Sequence, residues 1–121
     1  MTIKNVIDRV DSVKPNGFSN ADKMEWLAEL EGKIQTEIFL LPLDELVKPA
    51  NMTDELLVPY PYDSIYSFYL QAMIDLHNGE YDRYDNTYAV FNEKWKEYVK
   101  WRTIHYPTVG SLKRGETRVE V

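Results

Sequence analysis

Residues 62–106 read YDSIYSFYLQAMIDLHNGEYDRYDNTYAVFNEKWKEYVKWRTIHY, and this stretch decides the fold class. Tyr62, Tyr66, Tyr69, Met73 and Leu76 step by four, three, four and three, and Tyr84, Tyr88, Phe91, Trp95 and Tyr98 repeat the same steps. Such alternation keeps side chains on one side of an α-helix, so each run is a seam. Between the seams stands Asn78-Gly79, which stops a helix because glycine takes the left-handed conformation needed just past its end. A join that short lays two helices side by side in opposite directions. The reading is an antiparallel hairpin, seam against seam. Its first helix begins near Tyr62 or Asp63, and its second spans about residues 80–105, before Pro107. From Ile65 to Leu76 nine of twelve residues are apolar or tyrosine. A helix apolar on most sides is buried on most sides, so this one is expected to be central.

Upstream, Ile3, Val6, Val10 and Val13 form the apolar stripe of a short helix, with Thr2 as its N-cap and Pro15-Asn16-Gly17 as its end. Its valines are weak helix formers, so it depends on docking. Ser19-Asn20-Ala21-Asp22 has the spacing of a capping box and opens a second helix over about residues 20–39. Met24, Leu27, Ile34, Ile38 and Leu41 supply its apolar face, widened by Trp26 and Leu30. Pro42, Pro49, Pro59 and Pro61 preclude a long regular element over residues 42–61. Residues 43–47 and 54–57 are each expected to form a single helical turn, the latter capped by Thr53. The expected architecture is all-α. It is a small four-helix bundle over residues 1–107, with a long proline-rich loop and an extended C-terminal arm over residues 108–121. In the arm, Thr117, Val119 and Val121 alternate with Glu116, Arg118 and Glu120, a strand pattern with no partner in its own chain.

The chain has 121 residues, no cysteine, two histidines and a net charge of −6. The absence of cysteine excludes disulfide scaffolds, thiol nucleophiles and thiolate metal sites. The negative charge argues against a dedicated nucleic-acid binder, whose affinity rests on neutralising phosphates. The start lacks a basic region followed by an apolar stretch, and no run approaches the roughly 18 apolar residues of a membrane span, so a cytosolic setting without a membrane partner is expected. Asn51-Met52-Thr53 has the form of a glycosylation sequon, a chance match in that setting.

Candidates for chemistry are few. Asp75-x-His77 with Glu80 nearby is the best, yet two residues' separation on a helix turns side chains about 200° apart. His77 therefore reads as a cap or core-edge histidine, and His105 as a helix C-terminal residue favoured by the dipole. Glu93 and Glu97 share a face with lysines around them and no histidine, which reads as a solvated surface. Asp82 and Asp85 sit at a helix start, where the dipole favours acids. Gly110 to Gly115 lacks the Gly-Lys-Ser/Thr ending and the preceding strand of a phosphate loop. No Ser-His-Asp arrangement assembles. The tyrosine seams read as core. No catalytic residue, cofactor or metal is expected.

Charge is unevenly placed. Residues 20–55 hold nine acids and three bases, while residues 94–118 hold seven bases and two acids. Opposite patches on one small molecule can pair head to tail, a contact that closes into rings or runs into filaments. The surfaces expected to meet neighbours carry Asp44 and Glu45 on the acidic side. Lys100, Arg102, Lys113, Arg114, Arg118, Val119 and Val121 mark the basic side.

Several segments carry a resemblance: Lys14-Pro15-Asn16, Trp26-Leu27-Ala28-Glu29-Leu30, Tyr60-Pro61-Tyr62-Asp63, Ala72-Met73-Ile74-Asp75, the Asn78-Gly79-Glu80 break and the aromatic helix to Tyr106. Over about residues 1–107 the chain resembles head–tail connector (adaptor, or head-completion) proteins of tailed phages and prophages. The resemblance implies a non-enzymatic virion structural protein, a helical subunit of a dodecameric ring between the portal protein and the next tail component. DNA would pass through that ring without specific binding, helped by an acidic lining. Assembly would take place in the host cytoplasm and the product would reside at the head–tail junction. A phage-encoded acidic regulator that binds a host protein is the alternative, and an enzyme with a tyrosine-lined pocket comes third.

Overall fold

The computed structural model describes residues 1–106 and contains four helices in the expected order. They are α1 (Ile3–Val13), α2 (Asn20–Lys33), α3 (Ser64–His77) and α4 (Tyr81–His105). There is no strand among the described residues, and the architecture is an all-α bundle. Pro107 and the expected arm, residues 108–121, lie outside the described residues.

Helices α3 and α4 form the hairpin. The Gly79 amide donates to the Leu76 carbonyl (3.1 Å) and the Glu80 amide to the Asp75 carbonyl (2.9 Å). Those two bonds make a Schellman motif, which needs a left-handed residue between them, and Gly79 provides it at φ 75°. The seams then meet. The rings of Tyr69 and Phe91 lie 5.2 Å apart, and those of Tyr62 and Tyr98 lie 5.6 Å apart. Of the first seam, Tyr66, Tyr69 and Met73 are buried and Tyr62 and Leu76 half-buried, and on α4 only Phe91 and Tyr98 are buried. Tyr84, Tyr88 and Trp95 are half-buried and stack along the helix edge at ring separations of 5.3 to 5.8 Å. The reason is coverage, since α4 packs principally against α3 and is exposed over most of its surface.

Helix α3 is the centre, touched by α1, α2 and α4. Nine of its fourteen residues are buried. Helix α1 contributes Ile3, Val6, Ile7 and Val10 to the same core, and α2 contributes Leu27, Leu30 and Ile34. Thr2 caps α1 in a full capping box, its hydroxyl taking the Asn5 amide (3.1 Å) while the Asn5 side chain takes the Thr2 amide (2.9 Å). Ser19 caps α2 by accepting from the Asp22 amide (3.1 Å). No return bond from Asp22 accompanies it. Asp is one methylene shorter than the Glu that usually closes the box.

Residues 54–57 depart from the expected helical turn and run extended. The amides of Ile3 and Lys4 donate to the carbonyls of Asp54 (3.2 Å) and Met52 (2.9 Å), and the Leu56 amide donates to the Met1 carbonyl (3.0 Å). Helix α1 begins with amides that have no partner inside the helix, and the extended strand of loop satisfies them. Leu56 and Val58 of the same segment are buried. The 43–47 segment contains a short 3-10 turn, Leu43–Glu45.

Two glycines give opposite expectations for one substitution. At Gly79 a Cβ meets nothing within 4 Å, yet the positive φ strains any L side chain. Gly79→Ala is therefore expected to destabilise by about 1 kcal/mol. Gly32 lies inside α2 with equally open space, so Gly32→Ala is expected to stabilise by up to about 1 kcal/mol. Chemical denaturation of the two variants, compared by midpoint, checks both signs.

Candidate functional site

The most demanding local chemistry lies at Glu31. Helical spacing puts it on the face of Leu27, Leu30 and Ile34, and only 2% of its surface remains exposed. Removing a carboxylate from water costs several kcal/mol unless donors replace the solvent. One carboxylate oxygen accepts from the Tyr66 hydroxyl (2.7 Å) and the other from the Leu57 amide (2.8 Å). The Tyr66 hydroxyl accepts in turn from the Val58 amide (2.9 Å). The network fastens α2, the proline-rich loop and α3 at one point. Burial, reinforced by the Glu31 charge, holds the Tyr66 phenol well above its ordinary range.

One turn further on, α2 widens into a π turn, Ile34–Ile38, in which the Phe39 amide reaches back to the Ile34 carbonyl (3.0 Å). The sequence-based end of this helix is nearly right, but its last turn is wide. The wide turn accompanies an inward-facing Gln35, which is fully buried. Its amide nitrogen donates to the carbonyls of Glu31 (3.1 Å) and Val47 (2.9 Å), and its oxygen accepts from the Val47 amide (2.9 Å). Gln35 thus pairs with loop backbone much as a neighbouring strand would.

The residues singled out for chemistry separate. Asp75 is fully buried between α1 and α4, taking the Lys14 ammonium (2.6 Å) and the Thr87 hydroxyl (3.1 Å). His77 points outward, its Nδ1 2.8 Å from the Met73 carbonyl and its ring stacked 4.5 Å from Trp26. Glu80 pairs with Arg83 (3.4 Å), and Glu93 lies 3.8 Å from Lys96. Asp82 and Asp85 are exposed at the start of α4. His105 sits 2.8 Å from the Trp101 carbonyl and stacks on the Trp101 ring at 4.6 Å. Among the described residues no three acidic or histidine side chains are grouped to hold a metal, and no helix is long and apolar enough to cross a membrane. The buried Lys23, which the sequence reading passed over, holds Asp11 at 2.8 Å.

Of the expected interface residues, Asp44 and Glu45 stand exposed on the 3-10 turn and Lys100 on α4. Arg102 turns inward. Its guanidinium lies 3.9 Å over the Phe39 ring and 4.7 Å from the centre of the Tyr106 ring. Lys113, Arg114, Arg118, Val119 and Val121 lie outside the described residues. Two shallow hollows flank these elements. One, of about 250 Å³, lies beneath the loop against Glu31, Lys48, Asp54 and Leu57. The other, of about 130 Å³, is an aromatic groove between Lys33 and Glu37 of the α2 end and Tyr88 and Trp95 of α4. Compared with protein-family models, curated proteins and solved structures, the chain matches none.

Tyr66→Phe is expected to lower stability by about 1–3 kcal/mol, and Glu31→Ala by more, because each leaves buried partners unpaired. Urea unfolding measures both. Burial also pushes the Tyr69 phenol from 10.0 up to about 12 and raises Tyr98. The folded chain holds these phenolic protons more tightly than the unfolded chain does. Their stabilisation is complete below pH 10.0 and is lost as pH rises from there through about 12. Alkaline titration followed by phenolate absorbance and circular dichroism is expected to show phenol ionisation and unfolding together.

Proposed function

We propose that the chain is a structural subunit that works by protein–protein contact, of the head–tail connector kind. One observation carries this reading. The charged and amide side chains that the fold buries are engaged within it, while large apolar side chains stand outside. Glu31, Gln35, Lys23 and Asp75 each bond to another part of the chain. Leu40, Leu43 and Val47 gather exposed on one short loop, and Ile104 is exposed near the end of α4. Gathered apolar side chains mark contact surfaces more than lone ones do.

The resemblance to connector proteins supplies the kind of assembly. Subunits would close into a ring, a dodecamer by that resemblance, between the portal protein and the next tail component. Net charge −6 suits a conduit through which DNA moves without adhering, because an acidic lining repels phosphates. The basic arm, residues 108–121, would reach a neighbouring subunit or the portal, by strand addition if its alternating pattern is used.

The purified chain is expected to form rings, alone or on the portal protein, visible by electron microscopy. A chain that stays monomeric in both settings and is missing from virions removes the reading. Deleting residues 108–121 is expected to leave the helical circular dichroism in place and to reduce ring formation. Unchanged ring formation by the shortened chain rules out that role for the arm.

A further inference from the structure

Among the described residues, two exposed apolar patches, one beside the unpaired acid Asp44 and one beside the unpaired base Lys100, stand near the C-terminal half of α4. The first is the loop after the π turn. Gln35 closes its neck, its carbonyl accepting from the Leu41 amide (2.9 Å) and its side chain holding both backbone groups of Val47. Between those anchors Leu40, Leu43 and Val47 are 46%, 79% and 50% exposed. Asp44 stands next to Leu43, and Glu37 lies just upstream. Leu40 is at φ 61°, a left-handed conformation that costs a residue with a Cβ about 1 kcal/mol.

The second patch is on α4 itself. Lys96, Lys100 and Ile104 succeed one another at single-turn spacing, with Glu93 and Glu97 on the same face. Glu93 lies 3.8 Å from Lys96, Lys100 stands unpaired among the described residues, and Ile104 is 65% exposed. Arg102 gives the direction of this face. Its guanidinium covers Phe39, the residue just before Leu40, so the Arg102 side of α4 looks toward the loop. Lys100 and Ile104 lie two residues either way, about 200° around the helix, and look away from it. Asp44 and Lys100 make no ion pair or hydrogen bond among the described residues.

We propose that the loop of one copy docks on the Lys96, Lys100 and Ile104 face of a second copy of this chain. Leu43 would meet Ile104, and Asp44 would meet Lys100. The proposal rests on the reading of the chain as a self-assembling subunit and names the contact. Charge complementarity selects the occupant, since Asp44, next to exposed Leu43, and Lys100, one turn from exposed Ile104, are opposite charges left unpaired among the described residues of the same molecule. Because the two patches differ and face apart, each copy keeps one of each free for the next. The contact is heterologous, the kind that builds rings.

The test uses the full chain in sedimentation velocity, with the portal protein added wherever the chain alone stays small. Asp44→Lys and Lys100→Asp are each expected to lower the assembled fraction on the order of tenfold or more, because like charges then face each other. The double variant reverses the pair and is expected to recover assembly, which a mere folding defect would not do. Leu43→Ser and Ile104→Ser are expected to weaken assembly without mutual rescue. Circular dichroism confirms that each variant is folded. If the wild-type chain assembles and neither reversal changes it, this contact is wrong and the subunit reading stands. If the wild-type chain remains monomeric throughout, both fall. If it instead binds duplex DNA and Lys100→Asp abolishes that binding, the basic face serves a polyanion and the self-contact is overturned.

Discussion

Helix α3 loses water on nearly every side, so the chain must cover it from several directions at once. That demand organises the molecule. Each buried apolar side chain contributes roughly 1.5–3 kcal/mol, and no single helix can reach all of α3's faces. Helix α4, tied on by the Gly79 turn, covers one side with Phe91 and Tyr98. Helices α1 and α2 cover the others, with Leu56 and Val58 of the loop adding to the same core. Helix α1, rich in valine and too short to stand alone, is stable only because α3 and the loop receive it.

Cover of this kind brings charged and amide groups inside, and the fold answers Glu31, Gln35, Lys23 and Asp75 with partners from elsewhere in the chain. The buried Ser67 hydroxyl has none among the described residues. Glu31 reaches Tyr66 across 35 residues of sequence, and Lys14 reaches Asp75 across 61. Lys23 reaches Asp11, and Gln35 takes the backbone of Val47. These contacts are directional where apolar packing is not. They fix how far α2 slides along α3 and where the proline-rich loop lies. Pinning the loop has a consequence at the surface, because the segment between Leu41 and Val47 is then held with Leu43 outward while Leu41 and Leu46 pack inward. The interior polar network and the exposed apolar loop are two ends of one arrangement, and that connects the stability of the bundle to its proposed role in assembly.

Much of the helical frame was legible. Alternating steps of four and three, the Asn78-Gly79 stop and the caps at Thr2 and Ser19 are local signals, and the helices begin and end close to where those signals stand. The aromatic seam was half legible, because periodicity shows which side chains share a face and not how much of that face is covered. The extended course of residues 54–57 was hidden. Their turn-like composition is overruled by the unpaired amides of α1, which lie some 50 residues away in the chain. Arg102 looked like a surface cation, and only the position of Phe39 turns it inward.

By itself the sequence determined the all-helical class, the order of the helices, the hairpin and the centrality of α3, since each follows from spacing within a turn or two of the backbone. Tertiary structure alone decided that Glu31 and Gln35 are interior, that Asp75 is held by Lys14 and Thr87 and diverges from His77, and that Leu43 is left exposed while Leu41 is buried. Helical periodicity is a local property written in neighbouring residues. The pairing of buried polar groups, and the surfaces left over once they are paired, depend on which distant segments the collapse of the core brings together.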